Sequence, residues 1–209
     1  MLKTEGLTFK YKQQSHLFNF PNINLKAQEN LLILGKSGIG KTTLLHLLAG
    51  LLTPTSGQIL INGIATNTLS QSKLDAFRGQ QIGLVFQKNY AIKTLNVFQN
   101  LQARMLFSKK KTDPKSIENL LIALDLNNYK KSKIQILSEG QLQRLGIALA
   151  TIHKPKLILA DEPTSNLDND NCKIVMELLI KQAKATQANL IVITHDHRIK
   201  SYFNKSIVL

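Results

Sequence analysis

The 209-residue chain has one cysteine, no tryptophan and only five prolines. A single thiol, Cys172, excludes an internal disulfide framework and suits a reducing compartment. Its polar sequence surroundings point to a surface or half-buried thiol, not a catalytic one. No apolar run reaches the roughly 18 residues that a membrane-spanning helix needs. The opening Met1-Leu2-Lys3-Thr4-Glu5-Gly6 also lacks the apolar stretch of a secretory signal. The expectation is a cytosolic protein. Arginine is scarce as well. Of 27 basic residues 23 are Lys and four are Arg, against 13 acidic residues, for a net charge of +14. Such an excess suits an anionic partner, either nucleic acid or the inner face of a membrane. Planar, bidentate recognition of phosphate favours Arg, so the skew argues against nucleic acid. Lys109-Lys110-Lys111 and Lys130-Lys131-x-Lys133 flank one expected helix. They read first as solvated loop charge, with membrane contact as the alternative.

The most informative stretch that is present is Gly35-Lys36-Ser37-Gly38-Ile39-Gly40-Lys41-Thr42, followed by Thr43. It comes directly after the apolar run Leu31-Leu32-Ile33-Leu34 and opens into a helix carrying Leu44, Leu45, Leu47 and Leu48. The order is physically required: a buried strand delivers the chain to a tight loop at a helix N-terminus. Its glycines let the backbone approach a phosphate so that successive N–H groups point inward. The helix end adds roughly half a positive charge there. Lys41 is expected on the β- and γ-phosphates and the Thr42 hydroxyl on Mg²⁺. The pattern implies binding of a nucleoside triphosphate.

Hydrophobic patterning places strands at about 7–11, 23–25, 31–34, 59–61, 82–86, 157–160 and 190–194. Helices are expected from Asp113-Pro114 onward, over 141–152 and over 171–185. Residues from about 90 to 150 are dominated by helical periodicity and read as an inserted helical subdomain. Alternation of strands and helices elsewhere predicts a mainly parallel sheet with helices on its faces, so the fold class is α/β in one domain. His46 and His153 read as packing or surface residues.

Several apolar strands end in polar groups on what should be one edge, as ligand sites in parallel sheets do. Leu157-Ile158-Leu159-Ala160 runs into Asp161-Glu162. Two carboxylates at the end of a buried strand are costly without a cation, so Asp161 is expected to hold Mg²⁺ through its water shell. Glu162 would orient or deprotonate the attacking water. Gln87 follows the 82–86 strand with a neutral oxygen for the metal and water. Thr194-His195 ends another strand and puts an imidazole near the γ-phosphate position.

Leu137-Ser138-Glu139-Gly140-Gln141 stands 20 residues before Asp161. With the phosphate loop, Gln87, Asp161-Glu162-Pro163-Thr164-Ser165-Asn166-Leu167-Asp168 and His195, it resembles the ordered motif set of the ATP-binding-cassette (ABC) family. The resemblance spans the whole chain. It implies the cassette fold, with an N-terminal antiparallel β subdomain beside the parallel core, and hydrolysis of ATP with Mg²⁺. It further implies that Tyr11 stacks on adenine, although Tyr11 also reads simply as strand packing. Ser138 and Gly140, with Gln141 beside them, stand at a helix N-terminus that suits an anion. In the family they complete the site of the opposite subunit, which implies a homodimer or paired cassette with two ATP molecules sandwiched. Asp168 would report across that interface. Departures are Glu139 for the first Gly of the usual pair, Leu149 for an Arg, and Gln99-Asn100 for Glu-Asn.

The segment from Arg78 to Gln87 and the stretch from Thr164 to Asp168 are similar to the lipoprotein-releasing and macrolide-export ATPases. That likeness implies a separate integral membrane permease, docked between Tyr90 and Asn100. The chain would then lie peripherally on the cytoplasmic face of the inner membrane, with indirect membrane contact, and be cytosolic when free. The alternative is a soluble ABC ATPase acting on the ribosome or nucleic acid.

Overall fold

The computed structural model describes residues 1–12, 15–87, 90–165 and 167–209. Asn166 of the motif above lies outside the described residues. Strand β1 (Leu2–Lys10) alternates buried and open positions, the pattern of a strand with one covered face. It pairs antiparallel with β2 (Leu17–Asn19), β3 (Asn24–Leu25) and β5 (Ser56–Ile61). The two-residue β6 (Ile64–Ala65) closes this sheet against β5.

The second sheet is parallel. Its strands are β4 (Asn30–Leu34), β7 (Ile82–Val85), β8 (Leu157–Asp161), β9 (Asn189–Thr194) and β10 (Ser206–Val208), in the order β10-β4-β9-β8-β7. Strands β8 and β9 are buried at every position. That is why they read as continuous apolar runs: both faces are covered. The period of two divides them between two cores. Leu32, Leu34, Ile158, Ala160, Leu190 and Val192 face one core, where the helices α3 (Val97–Phe107), α4 (Pro114–Ala123), α5 (Glu139–Thr151) and α6 (Asn169–Thr186) also bury their apolar stripes. Leu31, Ile33, Leu157, Leu159, Ile191 and Ile193 face the other, shared with α1 (Lys41–Leu48) and the antiparallel sheet. Each fully buried side chain of this kind contributes roughly 1.5–3 kcal/mol.

Local chemistry sets the helix ends. Asp113 caps α4 with Pro114 at its first position, as the sequence indicates. Capping boxes start α3 (Asn96 with Gln99) and α5 (Ser138 with Gln141). Gln99 therefore serves the helix start, while Asn100 bonds the backbone of Ile92, Leu95 and Asn96 and holds that loop. Helix α5 crosses β7 so closely that a Cβ on Gly83 would lie 2.1 Å from the Ala150 carbonyl oxygen. Helix α2 (Gln71–Gln81) buries no residue and has no counterpart in the sequence expectations. Cys172 corrects another. Despite its polar neighbours it is buried, in register with Val175, Met176 and Leu179 on the inner face of α6. Among the described residues no helix is long and apolar enough to cross a membrane.

Candidate functional site

Parallel register brings the candidate residues to one edge. Leu34 pairs with Thr194 and Asp161 with Ile193. The phosphate loop, the Asp161-Glu162 pair and the Thr194-His195 pair therefore leave neighbouring strands at the same level. Lys36, Ser37, Gly38 and Ile39 are exposed, so the loop backbone is open to a ligand. Gly40 has φ 106° and caps α1, and a Cβ there would lie 2.7 Å from the Phe18 ring. Only glycine satisfies both conditions.

Lys41 is buried and its ammonium donates to the carbonyls of Gly35 at 2.8 Å and Lys36 at 3.0 Å. It also lies 3.5 Å from Glu162 Oε1. The Thr42 hydroxyl donates to Asp161 Oδ2 at 3.2 Å. The other carboxylate oxygen, Asp161 Oδ1, is buried without a hydrogen-bond partner. Burial pushes this carboxyl up, and Glu162 adds to the effect, while the Thr42 bond and nearby cations pull the other way. An orphaned acceptor beside a threonine hydroxyl fits a hard cation and its water shell. Thr42 and Asp161 could hold Mg²⁺. Gln87 is exposed just after β7 and makes no hydrogen bond to either residue among the described residues.

Glu162 is fixed in place. Its backbone has φ 48°, and its carboxylate accepts from the Thr194 hydroxyl at 2.7 Å. His195 adds its backbone N–H at 3.3 Å and its ring Nδ1 at 3.0 Å. Burial opposes ionisation of Glu162, but the bonds from His195 and Thr194 outweigh it and hold the carboxyl below its ordinary value. A positioned, ionised carboxylate next to a phosphate loop can accept a proton from, or orient, a water.

The other candidates fall in two places. Tyr11 joins the phosphate-loop helix, its hydroxyl 3.0 Å from that of Thr43. Its ring meets Phe9 edge-on at 4.7 Å and Phe18 at 6.2 Å. Ser138, Gly140 and Gln141 lie elsewhere, at the start of α5, where Ser138 Oγ accepts from the Gln141 N–H. A Cβ on Gly140 would meet Asn171 at 3.8 Å, and Asn171 is the residue bonded by the Asp168 cap of α6. Gly140 and Asp168 therefore share Asn171 as a neighbour, and no hydrogen bond joins Ser138, Gly140 or Asp168 to their own phosphate loop among the described residues.

Sequence reasoning missed Asp196 and Arg198. Asp196 accepts from Thr164 at 2.9 Å and pairs with Arg198. Arg198 bonds the Leu167 carbonyl and Asn169. Their signal was available: an Asp and an Arg just beyond an apolar strand end.

A lysine held inside a glycine-rich loop, with two carboxylates of opposite pKa shift at the next strand ends, matches what phosphoryl transfer asks of a protein: positioning and charge, with little covalent chemistry. Fold and site together define a P-loop nucleoside triphosphatase. The chain belongs to the ABC transporter family, whose profile matches residues 18–165, and is an ATPase of that family. It is 42% identical over 166 residues to the lipoprotein-releasing system ATP-binding protein LolD of Buchnera aphidicola subsp. Acyrthosiphon pisum, covering 78% of this chain and 73% of that protein. It is 35% identical to the ABC transporter ATP-binding protein YxdL of Bacillus subtilis, covering 100% and 83%. Among solved structures, the dimeric post-hydrolysis state of the ATP-binding cassette MJ0796, bound to ADP and Pi, superposes with a TM-score of 0.89 at 32% identity. It covers 100% of this chain and 94% of that one.

Proposed function

We propose that this chain closes as a homodimer, or with a paired cassette, around two MgATP and so drives a separate membrane permease of the export or lipoprotein-release type. The observation that carries the catalytic part is the Glu162 carboxylate, tied to Thr194 and His195 and 3.5 Å from Lys41. In this reading the backbone from Gly35 to Thr43 cradles the phosphates and Lys41 neutralises charge on the β- and γ-groups. Tyr11 packs against the adenine. When bound, Mg²⁺ would supply neutralisation of phosphate charge. Thr42, Asp161 and Gln87 would hold it; Glu162 would accept the proton of the attacking water, and His195 keeps Glu162 aimed. Ser138, Gly140 and Gln141 address the γ-phosphate of the partner's ATP, in keeping with the lack of any hydrogen bond to their own loop among the described residues, and Asp168 reports across the interface.

A groove of about 480 Å³ runs beside residues 90–100 and supports permease docking there. The relatives named LolD favour a lipoprotein-release task, and the chain would then sit on the cytoplasmic face of the membrane. The test is affinity purification of tagged Glu162→Gln protein from its own cell in mild detergent with ATP. A stoichiometric membrane protein of permease type is expected. Recovery of ribosomal proteins or nucleic acid instead would overturn the transporter assignment and leave the ATP chemistry standing.

A further inference from the structure

The two lysine runs, 109–111 and 130–133, differ in the structure. Lys130 pairs with Glu118 at 2.9 Å. Lys109, Lys110 and Lys111 stand exposed beyond the end of α3 and make no ion pair among the described residues. Lys154 and Lys156, which follow α5, are exposed and without an ion pair in the same way. Asp113, the acid nearest to the first run in sequence, accepts from the N–H groups of Lys115 and Ser116 at the start of α4.

The fold draws these five lysines together around the junction of α2 and β7. On one side the Phe107 carbonyl oxygen lies 3.4 Å from where a Cβ on Gly79 would stand. On the other, the Lys156 N–H donates to the Gln81 carbonyl at 2.8 Å. Arg104 spans the two, donating to the Gly79 carbonyl at 3.1 Å and meeting His153, the neighbour of Lys154, at 2.9 Å. Burial, and then the charges of Lys154 and Lys156, hold the Lys110 ammonium below its ordinary value. A cation suits a helix C-terminus, which accounts for one lysine at each helix end and not for five converging from two. Both turns also hold a lysine in the left-handed region, Lys109 at φ 53° and Lys154 at φ 51°, where glycine would carry no steric cost. Beside the lysines, Leu106 and Phe107 are 70% and 69% exposed.

Unpaired like charges bordering two exposed apolar side chains fit a surface that is anionic outside and apolar beneath. The guanidinium of Arg104 is turned to protein carbonyls, so the patch offers point charges and no planar, bidentate contact. We propose that the lysines at 109–111, 154 and 156 bind the headgroups of anionic phospholipids directly, while Leu106 and Phe107 enter the headgroup boundary. This contact is made by the chain itself and does not depend on the transporter reading. Phe107 also lines the groove beside residues 90–100, so a permease seated there and a bilayer against the lysines are compatible.

The test is flotation of the purified whole chain, without nucleotide, with vesicles of phosphatidylcholine alone or mixed with phosphatidylglycerol. Binding to the mixed vesicles and not to the neutral ones is expected, weakening as salt rises past roughly 0.15 M. Lys110→Gln, Lys154→Asn and Lys156→Gln combined should weaken it about tenfold or more. The same change of charge outside the cluster, at Lys131, Lys173 and Lys181, all exposed, should leave binding near the wild-type value. Leu106→Gln should weaken it about fivefold or more. Unchanged nucleotide affinity in each variant shows that it folds. Wild-type binding by the cluster triple variant or by Leu106→Gln overturns the proposal, as do equal weakening by the two triple variants and equal binding to neutral vesicles. An RNA oligomer bound where mixed vesicles are not would overturn it in favour of nucleic acid.

Discussion

Acid should unfold this protein through His153. The ring is fully buried between Arg104 of α3, the Ile82 carbonyl of β7 and its own loop, with Lys110 nearby. Burial first, then the Arg104 charge, lowers its pKa from 6.5 to about 3. The folded protein therefore keeps the ring neutral, while the unfolded chain takes up a proton as pH falls below about 6.5. The stability contribution is complete above that pH and shrinks by roughly 1.4 kcal/mol per pH unit down to about 3. At pH 5 the loss is about 2 kcal/mol. With a urea m-value of roughly 2–3 kcal/mol/M, that moves the midpoint by about 0.7–1 M. The assay is urea unfolding at pH 7.5 and 5.0, without nucleotide and at constant ionic strength, for wild type and His153→Gln. The amide does not titrate and offers Arg104 a neutral acceptor, so the variant should lose that portion of the pH dependence. Equal midpoint shifts in the two proteins, or an NMR titration of His153 near 6.5, would rule out this role for His153.

Lys41→Ala should abolish tight nucleotide binding, measured by calorimetry, because the loop loses the ammonium bonded to its Gly35 and Lys36 carbonyls; wild-type affinity would sink the site assignment. Gly83→Ala should lower the melting temperature by several degrees or more, since the new methyl meets the Ala150 carbonyl of α5 at 2.1 Å and the core must open. Asp168→Ala removes the α6 cap and should cost about 1 kcal/mol in chemical denaturation. Asp168→Asn should keep that stability, and a loss of cooperative ATP turnover in the Asn variant would support the proposed role of its charge across a dimer interface, whereas unchanged cooperativity would count against it.

The parallel core was legible because β4, β8 and β9 are covered on both faces, and nothing polar interrupts them until the edge where the ligand groups stand. The phosphate loop, the carboxylate pair and His195 are placed at that edge by the polar ends of apolar strands in a parallel sheet. What stayed hidden has no periodic signal. Helix α2 buries nothing, so it carries no apolar stripe. Strands β2, β6 and β10 have two or three residues each and exist through their neighbours' hydrogen bonds. Cys172 was misjudged by composition where helical spacing would have put it with Val175 and Met176. The Arg104–His153 contact joins residues 49 apart, and no local pattern announces such a pair. Asp196 and Arg198 carry a local signal just beyond β9, beside His195.

The proposed mechanism has Glu162 activate water in a site completed only by a second cassette. The direct measurement is the mass and turnover of Glu162→Gln at saturating MgATP. Turnover should fall roughly 10²–10⁴-fold, with a stable dimer holding two ATP. A variant that stays monomeric, or that hydrolyses ATP at the wild-type rate, would contradict it.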